Sequence, residues 1–119
     1  MTSLETAKLA AMALDSKKGL DIKIIKIDSV SILADYMVIA AGASSTQIKA
    51  LAEEVEYKLD EEGISVSHIE GHRNDSWILL DYVDVIVHVF SEESRDFYDL
   101  ERLWQDGVEL DISDILQEN

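Results

Sequence analysis

The chain has 119 residues, 47% of them hydrophobic, and its twenty-five acidic and ten basic side chains give a net charge of −15. That length and apolar content point to one domain, 1–119, and exclude a disordered chain. The charge disfavours direct, sequence-specific nucleic-acid binding, which relies on Lys and Arg neutralising phosphates, and makes a basic protein the natural partner.

There is no cysteine, so disulfides and thiolate metal sites are excluded. No basic leader precedes an apolar stretch, and no apolar run approaches the ~20 residues that span a bilayer. The sequence therefore reads as soluble, cytoplasmic and unattached to membranes.

Thr2 followed by Glu5 is a capping-box signature, and Leu4, Ala7, Ala11 and Leu14 then fall on one helical face. Lys17, Lys18 and Gly19 supply the terminal charge and the cap. Residues 21–28, with Ile22, Ile24, Ile25 and Ile27, predict a β-branched strand. Residues 36–42 are apolar on both alternating faces, as in a central buried strand.

Ser44 and Gln47 predict a second capping box. The helix behind it carries Ile48, Leu51, Ala52, Val55 and Leu59 on one side and ends at Gly63. Residues 64–69 predict a third strand, joined to 36–42 by a right-handed parallel crossover. A polar turn over 70–75 leads to strands near 76–82 and 84–90, too close for anything but a hairpin. Ser91 caps a last helix to about Gln105 on which Phe97, Leu100 and Trp104 share a face, Phe97 being assigned to the core. Beyond Gly107, Val108, Leu110 and Ile112 alternate as a short strand would, or residues 108–119 form a flexible tail. The fold class is α/β, a single mixed sheet of about five strands flanked by helices.

Several positions invite a chemical reading. The turn from Gly42 to Ser45 joins a strand to a helix N-terminus, an anion-friendly place, yet it lacks a P-loop lysine and a dinucleotide glycine pattern. Capping by Ser44 is the better account. Asp81, Asp84 and Glu70 could hold Mg²⁺ for nucleotidyl or phosphoryl transfer, the enzyme alternative, although turn hydrogen bonds compete for one aspartate. His88 shares a strand face with Ile86 and Phe90, the setting of a core or interface histidine. A turn at Gly71 denies His68 and His72 helical metal-binding spacing. No nucleophile elbow is present. The aromatic set includes Trp77, which opens a strand directly after a polar loop and is the best candidate for an interface anchor.

Read together, Asp35-Tyr36-Met37-Val38-Ile39 with Gly42 and Ser44, then Glu70-Gly71, Trp77, Leu80-Asp81-Tyr82, Asp84-Val85 and Val87-His88-Val89-Phe90 closely resemble the Iojap-like ribosomal silencing factor family. Arg95, Tyr98-Asp99-Leu100-Glu101 and Leu103-Trp104 continue the resemblance, which covers roughly residues 4–107. It implies a nucleotidyltransferase-like fold without catalytic machinery, no cofactor and no metal. It also implies binding to the large ribosomal subunit through ribosomal protein fourteen (universal nomenclature), a basic protein at the intersubunit face. There the factor would block small-subunit joining and repress translation under nutrient limitation, in stationary phase. By position, the resemblance places Glu70, Trp77, Asp81, Tyr82 and His88 on or beside the docking surface, and it is compatible with a homodimer. One departure stands out: the family usually has Gly where this chain has Val83, and Val resists the positive φ that Gly would permit.

Overall fold

A computed structural model of the chain describes residues 1–71 and 76–116. Local chemistry sets the first helix. The Thr2 hydroxyl accepts from the Glu5 amide at 3.1 Å, and the Glu5 carboxylate accepts from the Thr2 amide at 3.0 Å. This capping box opens α1 (Ser3–Ser16). The helix closes in a Schellman turn, with the Gly19 amide donating to the Leu14 carbonyl at 2.8 Å and the Lys18 amide to Asp15 at 2.9 Å. The left-handed residue of that turn is Lys18 (φ 62°), one position before the glycine expected to cap it.

The second helix, α2 (Ser45–Glu61), starts differently from the expected reciprocal box. Ser44 does accept from the Gln47 amide, but the Gln47 side chain accepts from Ala43 and donates to the carbonyls of Lys17 and Lys18. Gln47 thus ties the start of α2 to the end of α1. Gly63 (φ 77°) ends α2 as the pattern predicts.

The strands are β1 (Leu20–Lys26), β2 (Tyr36–Gly42), β3 (His68–Glu70), β4 (Trp77–Asp81), β5 (Val85–Ser91) and β6 (Val108–Glu109). They form one mixed sheet in the order β3-β4-β5-β2-β1-β6, six strands among the described residues where about five were expected. The added strand is the C-terminal segment. β6 pairs with β1, Leu110 donates to the Ile24 carbonyl at 2.9 Å, and Ile112 is buried. Within that segment the strand itself covers Val108–Glu109.

The expected partner of β2 also changes. Its parallel neighbour is β5, and the segment at 64–69 contributes only the short edge strand β3, paired antiparallel with β4. A further correction concerns the last helix, which breaks in two: α3 (Glu92–Tyr98) and α4 (Leu100–Leu103) meet at Asp99, held left-handed at φ 48°. The break separates Phe97 from Leu100 and Trp104. Phe97 is 80% exposed rather than in the core, while Leu100 and Trp104 pack on Ile25, Ile27, Ala34 and Met37.

Strand alternation divides the sheet. One face carries Val38, Ala40, Ile78, Leu80, Val85, Val87 and Val89, sealed by the apolar stripes of α1 and α2. Each fully buried Val, Leu or Ile there contributes about 1.5–3 kcal/mol relative to exposure. The other face is covered only in part, by α3 and α4.

The β4–β5 hairpin turns tightly at Val83. The Asp84 amide donates to the Tyr82 carbonyl at 2.9 Å, an i to i+2 bond, and Val83 takes φ 73° despite its branched side chain. The positive φ that glycine would allow is therefore adopted by Val. The Asp81 carboxylate braces the turn by accepting from the Val83 amide at 2.8 Å. Left-handed backbone at a non-glycine residue costs on the order of 1–3 kcal/mol, and glycine's extra chain entropy returns part of that. Val83→Gly is expected to stabilise the fold by about 1 kcal/mol, read as a higher urea midpoint at unchanged m-value. A lower midpoint would show that the turn is not strained.

Candidate functional site

Pairing registers line up side chains across the partly covered face. One row runs Glu70, Leu79, His88, Ile39, Lys23; a second runs His68, Asp81, Ile86, Met37, Ile25; a third pairs Trp77 with Phe90 and Ala41. Directly opposed residues in a sheet share a face, so Glu70, Trp77, Asp81 and His88 stand together on it. Tyr82 does not. It follows β4 into the turn, is only 8% exposed, and packs with the core under the helices.

Because α3 and α4 are short, they leave an apolar groove of ≈250 Å³ between themselves and the sheet. Trp77, Leu79, Ile86 and His88 line its sheet side, and Leu33, Leu100, Leu103 and Trp104 its other walls. Leu33 (70% exposed) and Leu103 (67%) stand at the rim, with Ile32 fully exposed nearby. Apolar surface gathered in this way marks interaction sites rather than ordinary protein exterior. A second notch, lined by Glu70, Gly71, Trp77 and Leu79, adjoins it.

Trp77 is fixed from three sides. Its ring centroid lies 4.7 Å from Tyr98, 5.0 Å from Phe90 and 5.9 Å from His88, and its indole N–H donates to His88 Nδ1 at 3.1 Å. His88 is therefore a neutral acceptor at Nδ1, and burial drives its pKa down to about 4. Gly71 sets where β4 begins. At φ 75°, with the Trp77 carbonyl in the space a Cβ would fill, no other residue fits without moving that strand.

The carboxylates are engaged locally. Asp81 is committed to the Val83 amide, and Glu70 lies 3.4 Å from His68. Among the described residues no three His, Asp or Glu side chains group closely enough to hold a metal ion. His72 and the rest of 72–75 lie outside the described residues. At the turn after β2, the Gln47 amide bonds the Ser44 hydroxyl and the Ala43 amide bonds the Gln47 side chain, so this turn is a structural cap.

Two features escaped the sequence reading. One is the groove's far wall, because Leu33, Leu100 and Leu103 lie far from β4 in sequence. The signal available was the unbroken apolar run of β2, which requires both faces to be dry, while among the described residues there are two long helices to cover them. The other is a charge network. Arg95, 6% exposed, donates from Nε to Glu101 at 2.8 Å and from Nη1 to the Leu20 carbonyl at 3.3 Å, while Lys23 donates to the other Glu101 oxygen at 2.8 Å. Only the spacing Arg95 to Glu101 hints at it.

Among the described residues no helix is long and apolar enough to cross a membrane. The family model described as "Ribosomal silencing factor during starvation" matches residues 1–119. A Bacillus subtilis protein named ribosomal silencing factor is 39% identical over 94% of this chain and 95% of its own. A Chromobacterium violaceum protein of the same name is 43% identical over 84% of this chain and 82% of its own. A crystal structure of a Chromobacterium violaceum protein superposes with a TM-score of 0.86 at 42% identity, covering 88% of each chain. The family model, these relatives and the shared fold show that the chain belongs to the ribosomal silencing factor family.

Proposed function

We propose that this protein acts by occupying a surface. It binds the large ribosomal subunit through a basic ribosomal protein at the intersubunit face, ribosomal protein fourteen, and so keeps the small subunit from joining. Translation falls as a result, the response needed when nutrients are limiting. The supporting observation is the groove walled by Trp77, Leu79, His88, Leu103 and Trp104, an apolar patch with a rigid aromatic anchor. Glu70 and Asp81 on the same face, within a chain of net charge −15, suit a basic partner and would orient it. Tyr82, on the other side of the sheet, is not part of this surface. The mode of action is steric rather than catalytic, in keeping with carboxylates already spent on the turn and on His68. A homodimer covering the same groove in the free protein is compatible with this reading.

Trp77→Ala is expected to weaken binding to purified large subunits by about 2 kcal/mol or more, a hot-spot magnitude. Trp77 also packs on Phe90 and Tyr98, so the variant's circular dichroism must first show a folded chain. The direct test is sedimentation of purified subunits with and without the protein. Co-migration with the large subunit and loss of the joined-ribosome peak are expected. A joined peak that persists at saturating protein would overturn the proposal, as would full-strength binding by folded Trp77→Ala.

A further inference from the structure

On the side of the sheet away from the groove, α2 and the segment at 64–66 enclose a cleft of ≈480 Å³. Its walls include Glu53, Glu56 and Asp60 from α2, with Ile64 and Val66 opposite, and Tyr82 lines it from beneath. The Tyr82 hydroxyl is buried and has no hydrogen-bond partner among the described residues, and the residue as a whole is only 8% exposed. An unsatisfied buried hydroxyl costs free energy that a ligand group can recover. Burial first, and then the charges of Glu56 and Asp60, push the phenol well above its ordinary pKa, so it keeps its proton. It can donate to a carboxylate and still offer lone pairs to an N–H donor.

The three carboxylates recur at steps of three and four residues on one helix face. With a rise of 1.5 Å per residue, these steps are about 4.5 and 6 Å along the axis. Carboxylates so spread do not converge on one ion, in line with the absence of a three-carboxylate metal cluster among the described residues. They suit separate positive charges strung on one flexible chain. Ammonium groups joined by three and four methylenes lie about 5 and 6 Å apart for bonds near 1.5 Å. The methylenes between them would lie on Ile64, Val66 and the Tyr82 ring.

We propose that this cleft binds a linear polyamine, its ammonium groups paired with Glu53, Glu56 and Asp60 and one of them hydrogen-bonded to the Tyr82 hydroxyl. The site is independent of the groove, so the two readings stand or fall separately.

Titration calorimetry of the full chain with spermidine at low salt tests it. One saturable site per chain is expected. Tyr82→Phe removes only the unpartnered hydroxyl, so the variant should fold, and its affinity should fall about tenfold or more, the size of one charge-assisted hydrogen bond. Glu56→Gln with Asp60→Asn should weaken binding about tenfold or more, while the charge-matched Glu92→Gln with Glu93→Gln on α3 should change it less than about twofold. Equal losses in the two double variants would mean diffuse counterion attraction to an acidic protein and would overturn the proposal. So would the absence of saturable binding, or tighter binding of trilysine than of spermidine.

Discussion

Replacing Glu101 by Ala is expected to destabilise the protein by about 2–3 kcal/mol, more than its position on a four-residue helix suggests. The cost arises at Arg95. That side chain is 7% exposed, and its guanidinium is held by Glu101 at 2.8 Å and by the Leu20 carbonyl. Its remaining ionic contact among the described residues, Asp21 at 3.6 Å, is 69% exposed and too distant for a hydrogen bond. Removing Glu101 strands a buried charge with one exposed partner, and an uncompensated buried charge costs far more than the intact pair contributes. Burial alone would raise the Glu101 pKa. It is nonetheless lowered, because hydrogen bonds and charge from Arg95 and Lys23 outweigh desolvation. Lys23, largely through its hydrogen bond to Glu101, is raised in turn. A urea-denaturation cycle over Glu101→Ala, Arg95→Met and the double variant checks this. The double variant should recover at least about 1 kcal/mol of the summed losses, since neighbours in one network are not additive. Glu101→Ala within about 0.5 kcal/mol of the parent would show the network to be decorative.

The network also explains why the groove has a wall. Arg95 lies in the last turn of α3 and Glu101 in the first turn of α4, so their pairing, with Lys23 on β1, pins both short helices to the sheet. Leu100 and Trp104 are thereby pressed onto Ile25 and Met37. A helix of four residues has no independent stability, because nucleation alone is unfavourable. Its position comes from these contacts. Glu101→Ala should therefore loosen the groove as well as the fold.

Local rules were legible in the sequence and distant pairings were not. The Thr2–Glu5 box, the Gly63 stop and the buried strand at 36–42 depend on neighbours within a few residues, and each formed as read. Gln47 sits at the right spacing for a box but found better partners in the carbonyls of Lys17 and Lys18, thirty residues away. The choice of β5 as the parallel partner of β2 likewise depends on a contact spanning about fifty positions, for which alternation carries no signal. Asp99 broke the last helix with neither Gly nor Pro present, and with that break Phe97 turned from core to surface.

The candidate site follows the same division. Glu70, Trp77, Asp81 and His88 fall on one face because strand periodicity and hairpin register are short-range properties. Tyr82 is off that face by the same alternation: one residue after Asp81, it falls with Ile78 and Leu80 on the side packed under the helices. The groove that gives the face its character required α4 and the loop carrying Leu33, neither of which the β4–β5 motif predicts.

Stability should also fall as the solution is acidified from pH 6.5 toward pH 4, with His88 responsible for a separable part of the loss. In the folded chain His88 is 6% exposed and accepts a hydrogen bond from Trp77 at Nδ1, so a second proton would place a charge against an indole N–H in an apolar setting. Its pKa is about 4 folded, against the ordinary 6.5 in an unfolded chain. Between those values the unfolded state binds more protons, so stability rises with pH, is complete above about 6.5, and has lost this contribution below about 4. At 1.36 kcal/mol per pH unit the whole window amounts to about 3 kcal/mol, of which the fall from pH 6.5 to 5 takes about half. Carboxylates such as Glu101, lowered in the folded state, add their own loss below about pH 4.5. His88→Gln separates the two, since its amide oxygen can still accept from Trp77 but does not titrate. Urea midpoints measured from pH 7.5 to 5 should decline in the parent and stay nearly level in His88→Gln. Parallel declines would show that His88 is not the titrating group. The same physics bears on the groove: near neutral pH the face presents an uncharged ring beside Trp77 and Leu79. A basic partner would meet acidic groups at Glu70 and Asp81 without an opposing imidazolium between them.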